Sequence, residues 1–398
     1  VTDQQEQSEL SQNPDEPAGQ EGERRVSLGT RVIMSLLLWG FTLLFAELFA
    51  GLAMPQVALR TPMREGGLVR PFRANSEADK VGPEFRVRYR INALGYRDAP
   101  RRIEREPGHR RVLCLGDSFT EGWGIPQDGT WPALLEGALS GFEFWNLGRS
   151  GGHPLFYLMR ARRAIRDFKP DALIVQIFDN DPSEIERYLR RFEMNADGQV
   201  SHVKPRYQWT GSLSQRIRAF GDHLALRRLL RGRRGTFIKV GRKQSFSPED
   251  RRPAYLLALL RGEDPTFNGQ FGFFRAEQQE AWTPKFKRER SLLSQLVTET
   301  RTAGVKIALL YIPHRLVWDP ALRKLRQPNH HRALLAALAR DLALPFFDAQ
   351  ELLAKEPKPG QLYYPRDLHL TPAGQQALTR QMLKGGLRSF LKTLPAPR

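Results

Sequence analysis

Residues 111–120, Arg-Val-Leu-Cys-Leu-Gly-Asp-Ser-Phe-Thr, constrain this chain more than any other stretch. Val112, Leu113, Cys114 and Leu115 form a short apolar run that stops at Gly116, the pattern of a strand buried on both faces and ended by a turn. Asp117 and Ser118 then fall at a strand's carboxyl end, the edge where open α/β sheets bind ligands and present reacting groups. Ser118 is a candidate nucleophile. Taken alone, Gly-Asp-Ser before a helix is also a good turn and N-cap, with Asp117 or Ser118 accepting from the first helical N–H groups.

The rest of the chain supplies the partners such a strand needs. Asp171 to Phe178 and Val305 to Ile312 are two further buried runs, and Leu344 to Phe347 is a short fourth. Helical stretches alternate with them, at about Trp131–Ser140, Pro154–Phe168 and Pro372–Leu383, the last with proline one step inside its start. Strands alternating with helices predict a parallel sheet with helices on both faces.

Other regions differ in composition. Residues 1–28 are polar and acidic, with too few large apolar side chains to offset their ordering entropy, and are expected to be a disordered tail. Val1 would suit a valine codon read as a start, which would make the chain complete. Residues 29–54 switch to a run as long as the ~20 apolar residues that cross a bilayer as a helix. Glu47 within it costs less than the roughly 3 kcal/mol of a central acid, because it lies nearer one end. A membrane anchor is expected; a cleaved signal peptide or a buried core helix would show a shorter or differently placed run. Arginines flank it on both sides (Arg24, Arg25 and Arg31; Arg60, Arg64, Arg70 and Arg73), so charge does not fix the orientation. Residues 55–91, rich in Pro, Arg and Gly, are expected to be a linker with one or two short strands such as Phe85–Ile91.

The remaining domain spans 92–398, with a basic insert at about 183–290. In the insert, arginines such as Arg216, Arg227, Arg228 and Arg231 interleave with Leu213, Ile217, Leu224 and Leu230 at helical spacing. This is either a solvated helix packed on the domain or a basic amphipathic helix resting on anionic lipid or an acidic glycan. The net charge of +19 favours anionic partners generally, but no nucleic-acid-binding motif accompanies it. The single cysteine, Cys114, excludes an intramolecular disulfide, and no Cys/His cluster has zinc-ligand spacing.

Three more stretches follow Gly116-Asp117-Ser118 in a fixed order: Asn146-Leu147-Gly148-Arg149-Ser150-Gly151, Phe178-Asp179-Asn180-Asp181, and Asp367-Leu368-His369-Leu370-Thr371-Pro372. Together they resemble the four sequence blocks of the SGNH, or GDSL-type, hydrolases. Asn92-Ala93-Leu94-Gly95-Tyr96-Arg97, some twenty residues ahead of the serine, is similar to the membrane-anchored bacterial branch. Two departures stand out. Phe178 occupies a position that is usually glycine, and one residue separates Asp367 from His369 where many members have two, a spacing found in branches related to polysaccharide O-acetylation. The resemblance covers residues 92–181 and 300–385.

A serine hydroxyl is a poor nucleophile until a base takes its proton, and His369 is the candidate base. Asp367 could accept from the other ring nitrogen and fix the tautomer. The resemblance implies three oxyanion donors: the backbone N–H groups of Ser118 and Gly151 and the side-chain amide of Asn180. It also implies a three-layer α/β sandwich of about five parallel strands, flavodoxin-like, and no metal or organic cofactor. The activity implied is acyl-ester hydrolysis through an acyl-serine; the expected membrane anchor and basic surface point to an acylated cell-envelope glycan or lipid as substrate. The alternatives are an O-acyltransferase of an envelope polysaccharide and a non-catalytic glycan-binding or scaffold protein. By the same resemblance the chain is a single-pass inner-membrane protein with its large domain extracytoplasmic.

Overall fold

The computed structural model describes residues 27–53, 72–82, 84–196, 199–204, 279–318, 329–365, 367 and 369–396. The acidic tail and the arginine-leucine stretch at 213–243 lie outside the described residues. The chain divides into two units, residues 1–54 and 55–398. In the first, helix α1 (Leu28–Ala53) carries apolar residues on every face, with Arg31 and Glu47 its only charged residues. Its segment Leu28–Phe49 is long and apolar enough to cross a membrane, and Leu36, Trp39, Phe41 and Phe45 are all exposed along it.

The second unit opens with a hairpin of β1 (Ser76–Val81) and β2 (Arg86–Ile91), within the stretch expected to be a linker. Alternation in β2 turns Val87, Tyr89 and Ile91 inward and Arg86, Arg88 and Arg90 to solvent, the period of a half-buried strand. The main sheet follows: β3 (Arg110–Leu115), short helix α2 (Ser118–Glu121), α3 (Trp131–Ala138), β4 (Phe142–Asn146), α4 (Pro154–Phe168) and β5 (Ala172–Phe178). Helix α5 (Asp181–Leu189) leads to a small hairpin, β6 (Phe192–Met194) and β7 (Val200–Val203). The chain returns through α6 (Gln279–Thr302), β8 (Lys306–Ile312), α7 (His330–Asp341), β9 (Phe346–Asp348), α8 (Ala349–Leu353), α9 (Pro372–Met382) and α10 (Arg388–Lys392).

Five strands form one sheet in the order β4-β3-β5-β8-β9, every neighbouring pair parallel. This is the doubly wound order, with its switch point between β3 and β5. Period-2 alternation divides the core. Val112, Cys114, Ile174, Leu310 and Ile312 face α3, α8, α9 and α10, whereas Leu113, Leu115, Val175, Leu309 and Tyr311 face α4, α6 and α7. Each such Leu or Ile contributes about 1.5–3 kcal/mol by leaving water.

Two boundaries differ from the sequence expectation. Strand β9 starts at Phe346 rather than Leu344, because the Leu344 N–H still closes the end of α7 on the Ala339 carbonyl at 2.7 Å and Ala343 is left-handed. Both ends of the 183–290 stretch are regular where described. Phe192, Val200 and Val203 of the small hairpin join the core on the α4 and α6 side, and Gln295 of α6 bonds both Val200 N and Val200 O.

Candidate active site

Three strand ends converge at the switch point. After β3, Asp117 caps α2 by accepting the Phe119 N–H at 2.9 Å, which places Ser118 at the first position of that helix. The Asp117 N–H and the Thr120 hydroxyl both donate to Gln176 Oε1 of β5, at 3.1 and 2.9 Å. The serine turn is thus pinned to the central strand.

The loop after β4 is tied to the same helix. Asn146 donates its amide to the Thr120 carbonyl at 2.7 Å and accepts the Gly148 N–H at 2.9 Å, while the Ser150 N–H donates to Glu121. A Cβ on Gly148 would lie 2.2 Å from the Glu121 nitrogen, so only glycine permits this approach. Gly151, at φ +72°, is left-handed, and a Cβ built there meets nothing within 4 Å. It follows Ser150, whose N–H is held by Glu121 of α2.

After β5, Asn180 ends the strand turn and begins α5, its carbonyl accepting from the N–H groups of Ser183 and Glu184. Its Oδ1 is buried with no hydrogen-bond partner. Phe178, at the position usually taken by glycine, is buried with its ring 4.6 Å from Phe119 and 5.9 Å from His314.

From the far end of the chain come Asp367 and His369. His369 Nε2 lies 2.6 Å from Ser118 Oγ, and His369 Nδ1 contacts Asp367 Oδ1. The one-residue spacing is sufficient for this geometry, and the His369 N–H also donates to Asp367 Oδ1 at 3.2 Å. Burial would raise the Asp367 carboxyl, but the bonds from His369 and Trp123 hold it below the usual range. The structure therefore brings Ser118, Asp367 and His369 into one hydrogen-bonded series, with Gly151 and Asn180 on the two adjoining strand-end turns.

Several supporting residues carry no local sequence signal. Trp123 donates its indole N–H to Asp367 Oδ2 at 2.9 Å and stacks on His369, centroids 5.6 Å apart. Glu84, from the turn of the first hairpin, accepts the Asp367 N–H at 2.7 Å. Phe85 packs edge-on to Trp123 and against Tyr364, and the Lys80 ammonium sits 3.8 Å from the Trp123 ring centre. Arg97, buried over the Tyr89 ring, donates to the carbonyls of Glu121, Gly122 and Ile125 and so fixes the loop that carries Trp123. Arg97 ends the Asn-x-x-Gly-Tyr-Arg turn, whose sequence alone shows only a turn. Among the described residues, no group of three or more His, Cys, Asp or Glu is arranged to hold a metal ion.

Residues 114–377 match the GDSL-like lipase/acylhydrolase family. The chain belongs to that family. Solved structures similar to it include TesA, at 13% identity and a TM-score of 0.36 over 70% of this chain and 98% of that one. The psychrotrophic esterase EstA from Pseudoalteromonas sp. aligns at 13% identity and 0.35 over 71% and 100%. A GDSL-like lipase from Bacteroides thetaiotaomicron aligns at 12% and 0.34 over 70% and 89%. No curated protein matches the chain. As a member of the GDSL-like family this protein is a serine esterase-type hydrolase, and the family match spans the serine turn, both neighbouring strand ends and the His369 loop.

Proposed function

We propose that Ser118 is the nucleophile, His369 the general base and acid, and Asp367 the residue that orients and charges the imidazole. The observation carrying this reading is the 2.6 Å approach of His369 Nε2 to Ser118 Oγ, with Asp367 on the opposite ring nitrogen. As Oγ attacks the ester carbonyl, its proton passes to Nε2. The oxyanion receives the N–H groups of Ser118 and Gly151 and the Asn180 amide, each such donor being worth roughly 3 kcal/mol. Collapse expels the alcohol, which takes the proton from His369. Water then attacks the acyl-serine with His369 again as base, releasing the acid and free Ser118.

The substrate class proposed is an acylated cell-envelope glycan or lipid. The support is a strongly basic chain preceded by one apolar helix long enough to span a bilayer. In that arrangement α1 anchors the protein in the inner membrane, the hydrolase unit is extracytoplasmic, and the arginine-rich stretch at 213–243 meets anionic lipid or acidic glycan. A sugar hydroxyl replacing water in the second half-reaction would make the same site an O-acyltransferase.

The test is intact-mass analysis of the full-length protein after intact cells are treated with a membrane-impermeant serine-directed phosphonate. One adduct in the membrane fraction, absent from Ser118→Ala, is expected. An adduct that forms only after lysis would refute the extracytoplasmic placement. Its persistence in Ser118→Ala would place the activated nucleophile elsewhere, and no adduct on folded protein under either condition would refute the nucleophile and favour a binding module.

A further inference from the structure

Behind the Asn180 turn lies a second histidine between two carboxylates, which the hydrolytic steps do not use. His331 of α7 is fully buried, with Nδ1 3.0 Å from Asp179 Oδ1 and Nε2 2.8 Å from Glu289 Oε2 of α6. Both nitrogens face carboxylates, so the ring satisfies both contacts only by donating from each. Burial opposes its charge, but Glu289 and Asp179 outweigh that and push its pKa up to about 10. Phe286, one turn before Glu289 in α6, lies flat on the same ring at 5.6 Å and 12°.

Asp179 is the residue immediately before Asn180, and both oxygens of its carboxylate are bonded. Oδ1 also accepts the Tyr311 hydroxyl at 2.8 Å, and Oδ2 accepts the His314 N–H at 2.8 Å. The Tyr311 oxygen in turn accepts the Asn329 amide at 2.7 Å. The Asn180 side chain has no comparable hold, since its Oδ1 is buried without a partner. Its aim is therefore set by the backbone, whose carbonyl is held by the start of α5 and whose preceding residue is held by this cluster. A buried ion pair is a poor device for stability alone, because an apolar replacement of similar volume often serves as well. It does fix a direction.

We propose that His331 is a positioning residue: clamped between Glu289 and Asp179, it fixes the turn that aims the Asn180 amide at the reacting oxygen and makes the oxyanion site answer to α6. The proposal rests on Asn180 being an oxyanion donor. It extends that reading to the helix entered directly from the 205–278 stretch.

The test is a double-mutant cycle on the full-length protein in detergent, with a short-chain p-nitrophenyl ester as substrate and near-ultraviolet circular dichroism to confirm folding. His331→Gln should lower kcat by about 10- to 100-fold, with KM moving by less than about threefold. In an Asn180→Ala background the same substitution should change kcat by less than about twofold, because the donor it aims is gone. Glu289→Gln, which keeps shape and removes one charge, should show a smaller loss of the same kind, and it serves if His331→Gln does not fold. A full loss that persists in the Asn180→Ala background, or a folded variant with unchanged kcat, would overturn the proposal. If Asn180→Ala keeps its activity while Ser118→Ala has none, the donor assignment falls and this proposal with it, leaving the serine chemistry intact. Activity retained by Ser118→Ala would refute the nucleophile itself.

Discussion

Asp117 sits one residue before Ser118 with one oxygen capping α2 and the other buried without a partner. Burial raises its pKa to about 6, against the Phe119 N–H and the nearby His369, which lower it. Asp181, also fully buried, is pushed well up by burial and by the Asp117 charge. A carboxyl whose folded pKa exceeds its unfolded value binds its proton more tightly in the folded state. Its contribution is therefore fullest below about pH 4 and is lost as pH rises through about 6. Asp117→Asn keeps an oxygen for the cap and has no charge to bury. The stability of this variant relative to the parent, from urea unfolding, should rise between about pH 4 and 6 and level off above. A difference that is flat with pH would mean that Asp117 is not titrating there.

The elements around the triad divide into those written locally and those assembled from afar. Strands β3, β5 and β8 were legible because both faces are buried, which leaves uninterrupted apolar runs such as Ala172–Phe178. The loops bearing Ser118, Gly151 and Asn180 read locally only as turns and caps; their order along the chain, through the resemblance it carries, is what singled them out. Trp123 was not. Its hydrogen bond to Asp367 spans 244 positions, and nothing in Gly122-Trp123-Gly124 announces a partner. The first hairpin was equally opaque: Phe85–Ile91 could be seen as a strand, but not that its turn would hold the acid's peptide N–H. Trp123→Phe keeps the ring on His369 and deletes the indole donor. It should lower kcat/KM by about 3- to 10-fold with little change in melting temperature, since one bond to a part-exposed carboxylate is lost. Equal kcat/KM in parent and variant would show that the His369 contact alone orients Asp367.

At the scale of the whole molecule, the sheet order and the two-sided core follow from patterns spread along the sequence, and they bring the strand ends that precede Ser118 and Asn180 together at the switch point. The cluster linking α6, α7 and the end of β5 does not follow from any motif. Histidine is not rare in this chain, and only packing distinguishes the buried, doubly bonded His331 from its neighbour His330.

The first hairpin also bears on how the enzyme can be cut. The family match begins at residue 114, yet Lys80, Glu84, Phe85 and Arg97 all precede it and all touch the Asp367–Trp123 side of the site or the loop beneath it. The span matched to the family is thus shorter than the piece whose residues hold Asp367 in place. An expression fragment starting at residue 72 should keep the esterase activity of the parent. One starting at residue 109, just before β3, should fold its sheet, judged by far-ultraviolet circular dichroism, and lose most of that activity. Equal activity in the two would return the hairpin to the status of a spacer. The natural unit of inheritance and the working unit of catalysis need not share an edge.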